Sequence, residues 1–144
     1  MYIFDSSEFN GELYCSRVPL ENNGLSGTLI PEMHNLDELR FFILEQGDLA
    51  GKIPTEYSLF KKLLIFDLDF NKLTGFIPKE IFNMKFLQQL DLNDNKLNGP
   101  IPTNIGQLTT LTFLQLDHNE LNGNIPSEVG ELKNLREFSC VLHL

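Results

Sequence analysis

The apolar positions of this chain recur with a fixed period. Leu25, Leu49, Leu73, Leu97 and Leu121 stand 24 residues apart, and each is followed two residues later by a glycine: Gly27, Gly51, Gly75, Gly99 and Gly123. An Ile-Pro pair comes next, at Ile30-Pro31, Ile53-Pro54, Ile77-Pro78, Ile101-Pro102 and Ile125-Pro126. A period of this length means one supersecondary unit repeated along the chain.

A full unit runs from Leu87 to Leu111. Leu90-Asp91-Leu92 alternates apolar and polar, which predicts a short strand with one buried face. Asn95 ends that strand, since its amide can bond backbone groups that a turn leaves unpaired. Gly99 permits close packing or a backbone angle that other residues avoid. Pro102 stops strand pairing and starts a new direction. Ile105, Leu108 and Leu111, at intervals of three, suit a tight 3₁₀-like segment. Such a unit has an inward apolar stripe that it cannot bury alone, so the units must stack as a solenoid. The first unit reads as carrying one extra residue before Pro31 and one fewer after it. A sixth unit begins with Leu135, Phe138 and Cys140. Residues 1–17 are expected to form an N-terminal cap, and 18–144 the repeats: five units and the start of a sixth, with no C-terminal cap.

These units resemble plant-type leucine-rich repeats, LxxLxxLxLxxNxLxGxIPxxIGxL. Thr109 to Gly130 follows that pattern nearly letter for letter, and the resemblance covers Val18 to Cys140. It implies an α/β solenoid, a right-handed superhelix with a concave parallel sheet of about six strands and 3₁₀ or short helical turns on the convex side. It further implies binding of proteins, peptides or glycans on the concave face, without catalysis. The ectodomains of receptor kinases, receptor-like proteins and polygalacturonase inhibitors share the repeat, which implies an extracellular or cell-surface location. Two departures stand out. Gly47 interrupts the ladder of Asn23, Asn71, Asn95 and Asn119, so local distortion or an ordered water is expected there. The chain has no Trp, and Tyr14-Cys15 is the only remnant of the family's N-terminal cap pattern.

The period also sorts the strand residues by face. Leu and Phe side chains such as Phe42, Leu44, Phe66, Leu68, Leu90 and Leu92 point inward. Their neighbours form concave columns: Arg17, Phe41, Ile65, Gln89, Phe113 and Glu137; then Pro19, Ile43, Asp67, Asp91, Gln115 and Ser139; then Glu21, Glu45, Asp69, Asn93 and Asp117; then Gln46, Phe70, Asp94 and His118. The candidate ligand-binding residues are Phe41, Ile43, Glu45, Ile65, Asp67, Asp69, Phe70, Asp91, Phe113, Gln115 and Asp117. Apolar groups beside polar ones on a wet face mark binding sites. The alternative is that these rings pack on each other or beneath the N-terminal segment. The aspartates read first as a solvated face that keeps the sheet soluble, and otherwise as a landing strip for a basic partner. Arg17 is the one Lys or Arg in these columns, so an anionic ligand is disfavoured and a basic or apolar protein or peptide is favoured.

Composition narrows the field further. The 144 residues hold 20 Asp and Glu against 11 Lys and Arg, a net charge of −9, which makes a poor nucleic-acid binder. Residues 1–51 carry 9 acidic and 2 basic side chains (−7), and the remainder 11 and 9 (−2). The two cysteines, Cys15 and Cys140, should lie a sheet width apart, beyond the ~7 Å reach of a disulfide. His34, His118 and His143 have no partner at zinc-ligand spacing. Asp67, Asp69 and Asp91 could touch a hard cation, but a flat sheet lacks the wrapping loop of a dedicated site, so no metal and no cofactor is expected. No phosphate loop or nucleophile elbow occurs, which argues against an enzyme. No apolar run approaches the roughly 20 residues of a membrane span. Met1 to Arg17 do not read as a signal peptide. With nothing evident to cover the last coil, the sequence reads as part of a longer protein, such as a receptor ectodomain. A secreted glycan-binding or enzyme-inhibiting protein is the other alternative.

Overall fold

The computed structural model describes residues 25–143. They form ten short strands: β1 (Ser26–Thr28), β2 (Phe41–Ile43), β3 (Asp48–Gly51), β4 (Ile65–Asp67), β5 (Lys72–Phe76), β6 (Gln89–Asp91), β7 (Lys96–Gly99), β8 (Phe113–Gln115), β9 (Glu120–Leu121) and β10 (Glu137–Ser139). Five 3₁₀ turns alternate with them, at Pro31–Asn35, Thr55–Leu59, Lys79–Asn83, Thr103–Gln107 and Ser127–Glu131. The result is a right-handed solenoid of stacked coils, as the period requires.

Each coil contributes to two parallel sheets. The concave sheet runs β10-β8-β6-β4-β2, and a second sheet runs β1-β3-β5-β7-β9. The expected sixth concave strand and the 1–17 cap lie outside the described residues. The second sheet was not foreseen. β3, β5, β7 and β9 each hold a single buried leucine, as in Lys96-Leu97-Asn98, which is too short an alternation to signal a strand. They pair because stacking at a constant offset brings backbone groups of successive coils together, for example Gly75 opposite Leu97. The concave strand of the Leu87–Leu111 unit spans Gln89–Asp91, one residue earlier than the alternation placed it.

The spacing by three in the convex segment is a run of i→i+3 hydrogen bonds. Ile105 N–H donates to Pro102 O, Leu108 N–H to Ile105 O and Leu111 N–H to Leu108 O, at 3.1, 3.1 and 2.9 Å. Each turn of this tight helix presents one inward side chain, and all three are buried. In the second and third coils the same space is filled by rings. Phe42, Tyr57, Phe60 and Phe66 lie with centroids 5.2–6.1 Å apart, within the range of favourable edge and tilted packing. The Tyr57 hydroxyl donates to Ile30 O at 3.2 Å.

The first described coil corrects the reading of its frame. There is no inserted residue before Pro31. Leu29, 7% exposed, fills the place that Ile53 takes one coil later, while Ile30, 53% exposed, stands where Pro54 does. The 3₁₀ turn that begins at Pro31 starts 24 residues before the one at Thr55. Leucine fills the pocket as isoleucine does, and proline is at home in the first turn of a helix.

The asparagines hold the coils together at the corner between the two sheets. Asn95 Oδ1 accepts from Leu73 N–H of the preceding coil at 2.9 Å, and its Nδ2 donates to Leu68 O there at 2.9 Å and to Asn93 O of its own coil at 3.1 Å. Asn71 bonds Leu49 N–H, Leu44 O and Asp69 O in the same way, and Asn119 bonds Leu97 N–H, Leu92 O and Asp117 O. The residue before each is left-handed, as is Gln46 before Gly47: Gln46, Phe70, Asp94 and His118 have φ of 56°, 47°, 50° and 50°.

The expected distortion at Gly47 is not seen among the described residues. Gly47 N–H donates to Phe70 O at 3.0 Å, matching Asn71 to Asp94 O and Asn95 to His118 O, both 3.1 Å. Backbone pairing with the following coil is enough to hold the corner there. A Cβ at Gly47 would lie 2.9 Å from Asn71 Oδ1, the oxygen that accepts from Leu49 N–H. Gly99, at φ 77°, serves another end: a Cβ there would lie 2.4 Å from the Phe76 ring that covers it.

The last coil is also less bare than expected. Residues beyond β10 turn back so that His143 N–H donates to Leu121 O at 2.7 Å and His143 bridges Asn122 in parallel. Cys140, expected to be a buried core thiol, is only partly buried against the core, and burial and Asp117 push its pKa up. Cys15 lies outside the described residues.

The ladder gives a direct stability test. Asn95→Ala leaves the buried Leu73 N–H without its partner and takes from Leu68 O the shorter of two amide donors, the other being Asn71 Nδ2 at 3.2 Å, and should cost about 1–3 kcal/mol. Urea denaturation followed by circular dichroism measures this, and a loss under about 0.5 kcal/mol would contradict a structural role for the ladder.

Candidate binding face on the concave sheet

The concave sheet places the candidate residues in registered rows. Phe41 stands opposite Ile65, Ile43 opposite Asp67, and Asp67 opposite Asp91. Phe113 is two strands from Ile65, with Gln89 between them, and Gln115 follows Asp91. Two groups result. Phe41, Ile43, Glu45, Ile65, Asp67, Asp69 and Asp91 lie together, while Phe113, Gln115 and Asp117 sit toward the last coil. Phe41, Ile43, Glu45, Ile65, Phe113, Gln115 and Asp117 are all half-buried. The Gln115 amide is spent in part on its neighbour, donating to Glu137 Oε1 at 3.0 Å.

Phe70 differs from the rest. It is 49% exposed and sits at the left-handed corner with φ 47°. Asp94 and His118, at the equivalent positions, are of types that tolerate that conformation; a bulky ring pays for it in backbone strain. His118 Nδ1 lies 3.0 Å from Asp117 Oδ2 and 3.5 Å from Asp94 Oδ2.

The acidic row is not the solvated face the sequence suggested. Asp67 and Asp91 are only 8% and 6% exposed. Both fold back over their own strand ends: Asp67 Oδ1 accepts from Asp69 N–H and Asp91 Oδ1 from Asn93 N–H, each at 3.2 Å. Asp67, Asp69 and Asp91 each bring a carboxylate oxygen within 4.8 Å of the other two. One column further on, Asp69 Oδ1, Asn93 Oδ1 and Asp117 Oδ1 are buried and meet no donor among the described residues. Acceptors therefore outnumber donors in a poorly solvated place, which favours protons on the carboxyls. Burial, then the charges of Asp67, Asp91, Glu45 and Asp94, push the Asp69 carboxyl up to about 7. Burial likewise pushes Asp91 up to about 7; the Asn93 N–H bond pulls the other way, and Asp67, Asp117 and Asp94 add to the rise. The 24-residue period carried the signal for this crowding, because it sets Asp67 and Asp91 side by side. It did not show that the side chains turn inward.

Residues 61–121 match the leucine rich repeat family. The ectodomain of the plant membrane receptor kinase GASSHO1/SCHENGEN3 from Arabidopsis thaliana, solved in complex with CASPARIAN STRIP INTEGRITY FACTOR 2, is similar with a TM-score of 0.77 at 38% identity; the match covers 78% of this chain and 13% of that one. The chain belongs to the plant-type leucine-rich-repeat proteins. Two further structures, both from Arabidopsis thaliana, resemble this leucine-rich-repeat chain over more of their length. The SOBIR1 receptor kinase ectodomain gives a TM-score of 0.76 at 32% identity, covering 81% of this chain and 64% of that one. The BIR3–SERK2 complex gives 0.70 at 35%, covering 83% and 66%. The leucine-rich-repeat chain thus spans a small part of the first ectodomain and just under two thirds of the others. No curated protein matches it in sequence. Among its described residues no helix is long and apolar enough to cross a membrane.

The acidic row sets a pH dependence of stability for this leucine-rich-repeat protein. Asp69 and Asp91 hold protons up to about pH 7 when folded and lose them near pH 4 when unfolded. Between those values the folded chain binds more protons, so stability falls as pH rises from about 4 to 7. Discounted for the partial exposure of Asp69 and for coupling within the cluster, the change is about 1–2 kcal/mol. Urea midpoints at pH 5 and pH 8 measure it. The Asp69→Asn/Asp91→Asn double variant should flatten the slope and be the more stable protein at pH 8; an unchanged slope would remove the cluster as its source.

Proposed function

We propose that this chain is a non-catalytic, extracellular recognition module. It lays a protein or peptide segment along the concave sheet and recognises that segment's apolar and basic side chains. The observation that carries this reading is Phe70, a half-exposed aromatic ring kept at a left-handed corner where a smaller polar residue would be less strained. Strain of this kind persists where the surrounding structure imposes it and function uses the side chain. Phe41, Ile43 and Ile65 form an apolar strip at the opposite edge of the concave face, and Phe113 supplies a further contact two strands from Ile65. The partner's basic groups follow from the columns themselves: no Lys or Arg occurs among their described residues, and Asp94 and Asp117 lie toward the Phe70 edge of that face. The resemblance to receptor-kinase ectodomains, one of them bound to CASPARIAN STRIP INTEGRITY FACTOR 2, supports both the peptide-like ligand and the extracellular location.

Two sets of variants test this on peptides selected against the immobilised protein. Phe41→Ser/Ile65→Ser/Phe113→Ser should weaken binding by about tenfold or more, as loss of aromatic anchors does elsewhere, with the circular dichroism spectrum retained. Phe70→Asn should gain about 0.5–1 kcal/mol of stability by relieving the backbone while losing affinity. Peptides bound equally well by wild type and by both variants would place recognition on another face. Raised ionic strength should weaken the wild-type complex through Asp94 and Asp117.

A further inference from the structure

The repeat requires a glycine at the corner after each second-sheet leucine. Gly27, Gly51, Gly75, Gly99 and Gly123 all have φ between 77° and 120°. The residue in front of that glycine is not constrained in the same way: it is Ser26, Ala50, Thr74, Asn98 and Asn122 in turn. Asn-Gly is the dipeptide in which the glycine nitrogen most readily reaches the asparagine side chain, because no Cβ stands in the way. The fold therefore builds two such pairs into neighbouring coils and treats them differently.

Asn98 lies inside β7, paired with Phe76 on one side and Glu120 on the other. Gly99 is buried, with the Phe76 ring against it. Asn122, Gly123 and Asn124 are all exposed. Asn122 lies beyond the end of β9, held by its N–H bond to Gly99 O at 3.0 Å and by the isolated bridge to His143. Nothing lies near a Gly123 Cβ position except Pro100, at 3.8 Å. Glu120, Asn122, Gly123, Asn124 and His143 line an open cleft of about 550 Å³ that admits water.

We propose that Asn122-Gly123 is a site of spontaneous, water-dependent deamidation, and that Asn98-Gly99 is protected from it by the sheet. The Gly123 nitrogen gives up its proton to solvent and bonds to Asn122 Cγ. The Cγ–Nδ2 bond breaks, and the side-chain nitrogen takes a proton and leaves as ammonia. Water then opens the cyclic imide at either of its two C–N bonds, yielding aspartate or isoaspartate. The net change is amide plus water to carboxylic acid plus ammonia, with no oxidant or catalyst. Aspartate puts a new negative charge beside Glu120. Isoaspartate adds a methylene to the backbone, which breaks the register of the Asn122–His143 bridge.

The two sites serve as each other's control. The full chain is incubated at pH 8 and 37 °C, native and in denaturing urea, and digested; peptides are resolved by mass and by isoaspartyl methyl transfer. In urea Asn98-Gly99 and Asn122-Gly123, two of the four Asn-Gly pairs in the sequence, should react at similar rates. In the native chain Asn122 should react about tenfold faster than Asn98 or more, since Asn98 must first open paired strands on both sides. Asn122→Gln should abolish the signal at that peptide alone. Equal native rates, a faster Asn98, or an Asn122 that stays intact while its unfolded counterpart is consumed would each overturn the proposal.

Discussion

The asparagine ladder of Asn71, Asn95 and Asn119 is the interaction on which most of the stack depends. A solenoid turning from one sheet to another must bend its chain sharply, and a sharp bend strands backbone N–H and C=O groups inside the protein. Asn71, Asn95 and Asn119 answer this with one side chain that both accepts and donates. Each spans its own coil and the one before it, so the ladder ties bending to stacking. No hydroxyl or carboxylate could do the same, since the corner needs an acceptor and a two-proton donor in one planar group. The inward leucines then fill what the ladder has closed, and the second sheet follows because its strands leave the corner already in register.

Stacking in strict register has a chemical consequence on the concave face. Whatever residue type recurs at a position is brought against its own kind in the next coil, roughly 5 Å away. For apolar positions this makes a continuous core or strip. For Asp67 and Asp91 it makes a concentration of like charge beneath Asp69, with few donors to meet it. The protein resolves the conflict by folding the carboxylates over their own strand ends and by holding protons. The same row that favours basic partners thus carries less negative charge near neutrality than its composition suggests. The left-handed corner imposes a second conflict at Phe70, where the fold asks for a small polar residue and an aromatic ring stands instead.

Much of this was legible in the sequence. The period located the strands, the inward leucines, the 3₁₀ turns and the glycine corners, because each of these answers to a local rule repeated five times. The concave columns were legible too, since alternation in a strand assigns faces. The first coil misled: Ile30-Pro31 looks like the later Ile-Pro pairs, yet Leu29 does the packing, and a shared dipeptide counted for less than the pocket it had to fill. The second sheet was hidden, because a lone leucine between polar residues carries no strand signature until a neighbouring coil supplies its hydrogen-bond partners.

By itself the sequence determined the architecture: a 24-residue period with leucines at fixed phase leaves stacked coils as the way to bury the stripe. The tertiary structure decided the states of particular side chains. Gly47 is accommodated without distortion because the backbone pairs across coils. Asp67 and Asp91 are buried because they bond their own strand ends. Asn98 is shielded where Asn122 is bare. None of these could be read from residue type, since each depends on which group of a neighbouring coil lies within hydrogen-bond distance, and that is a property of the stack.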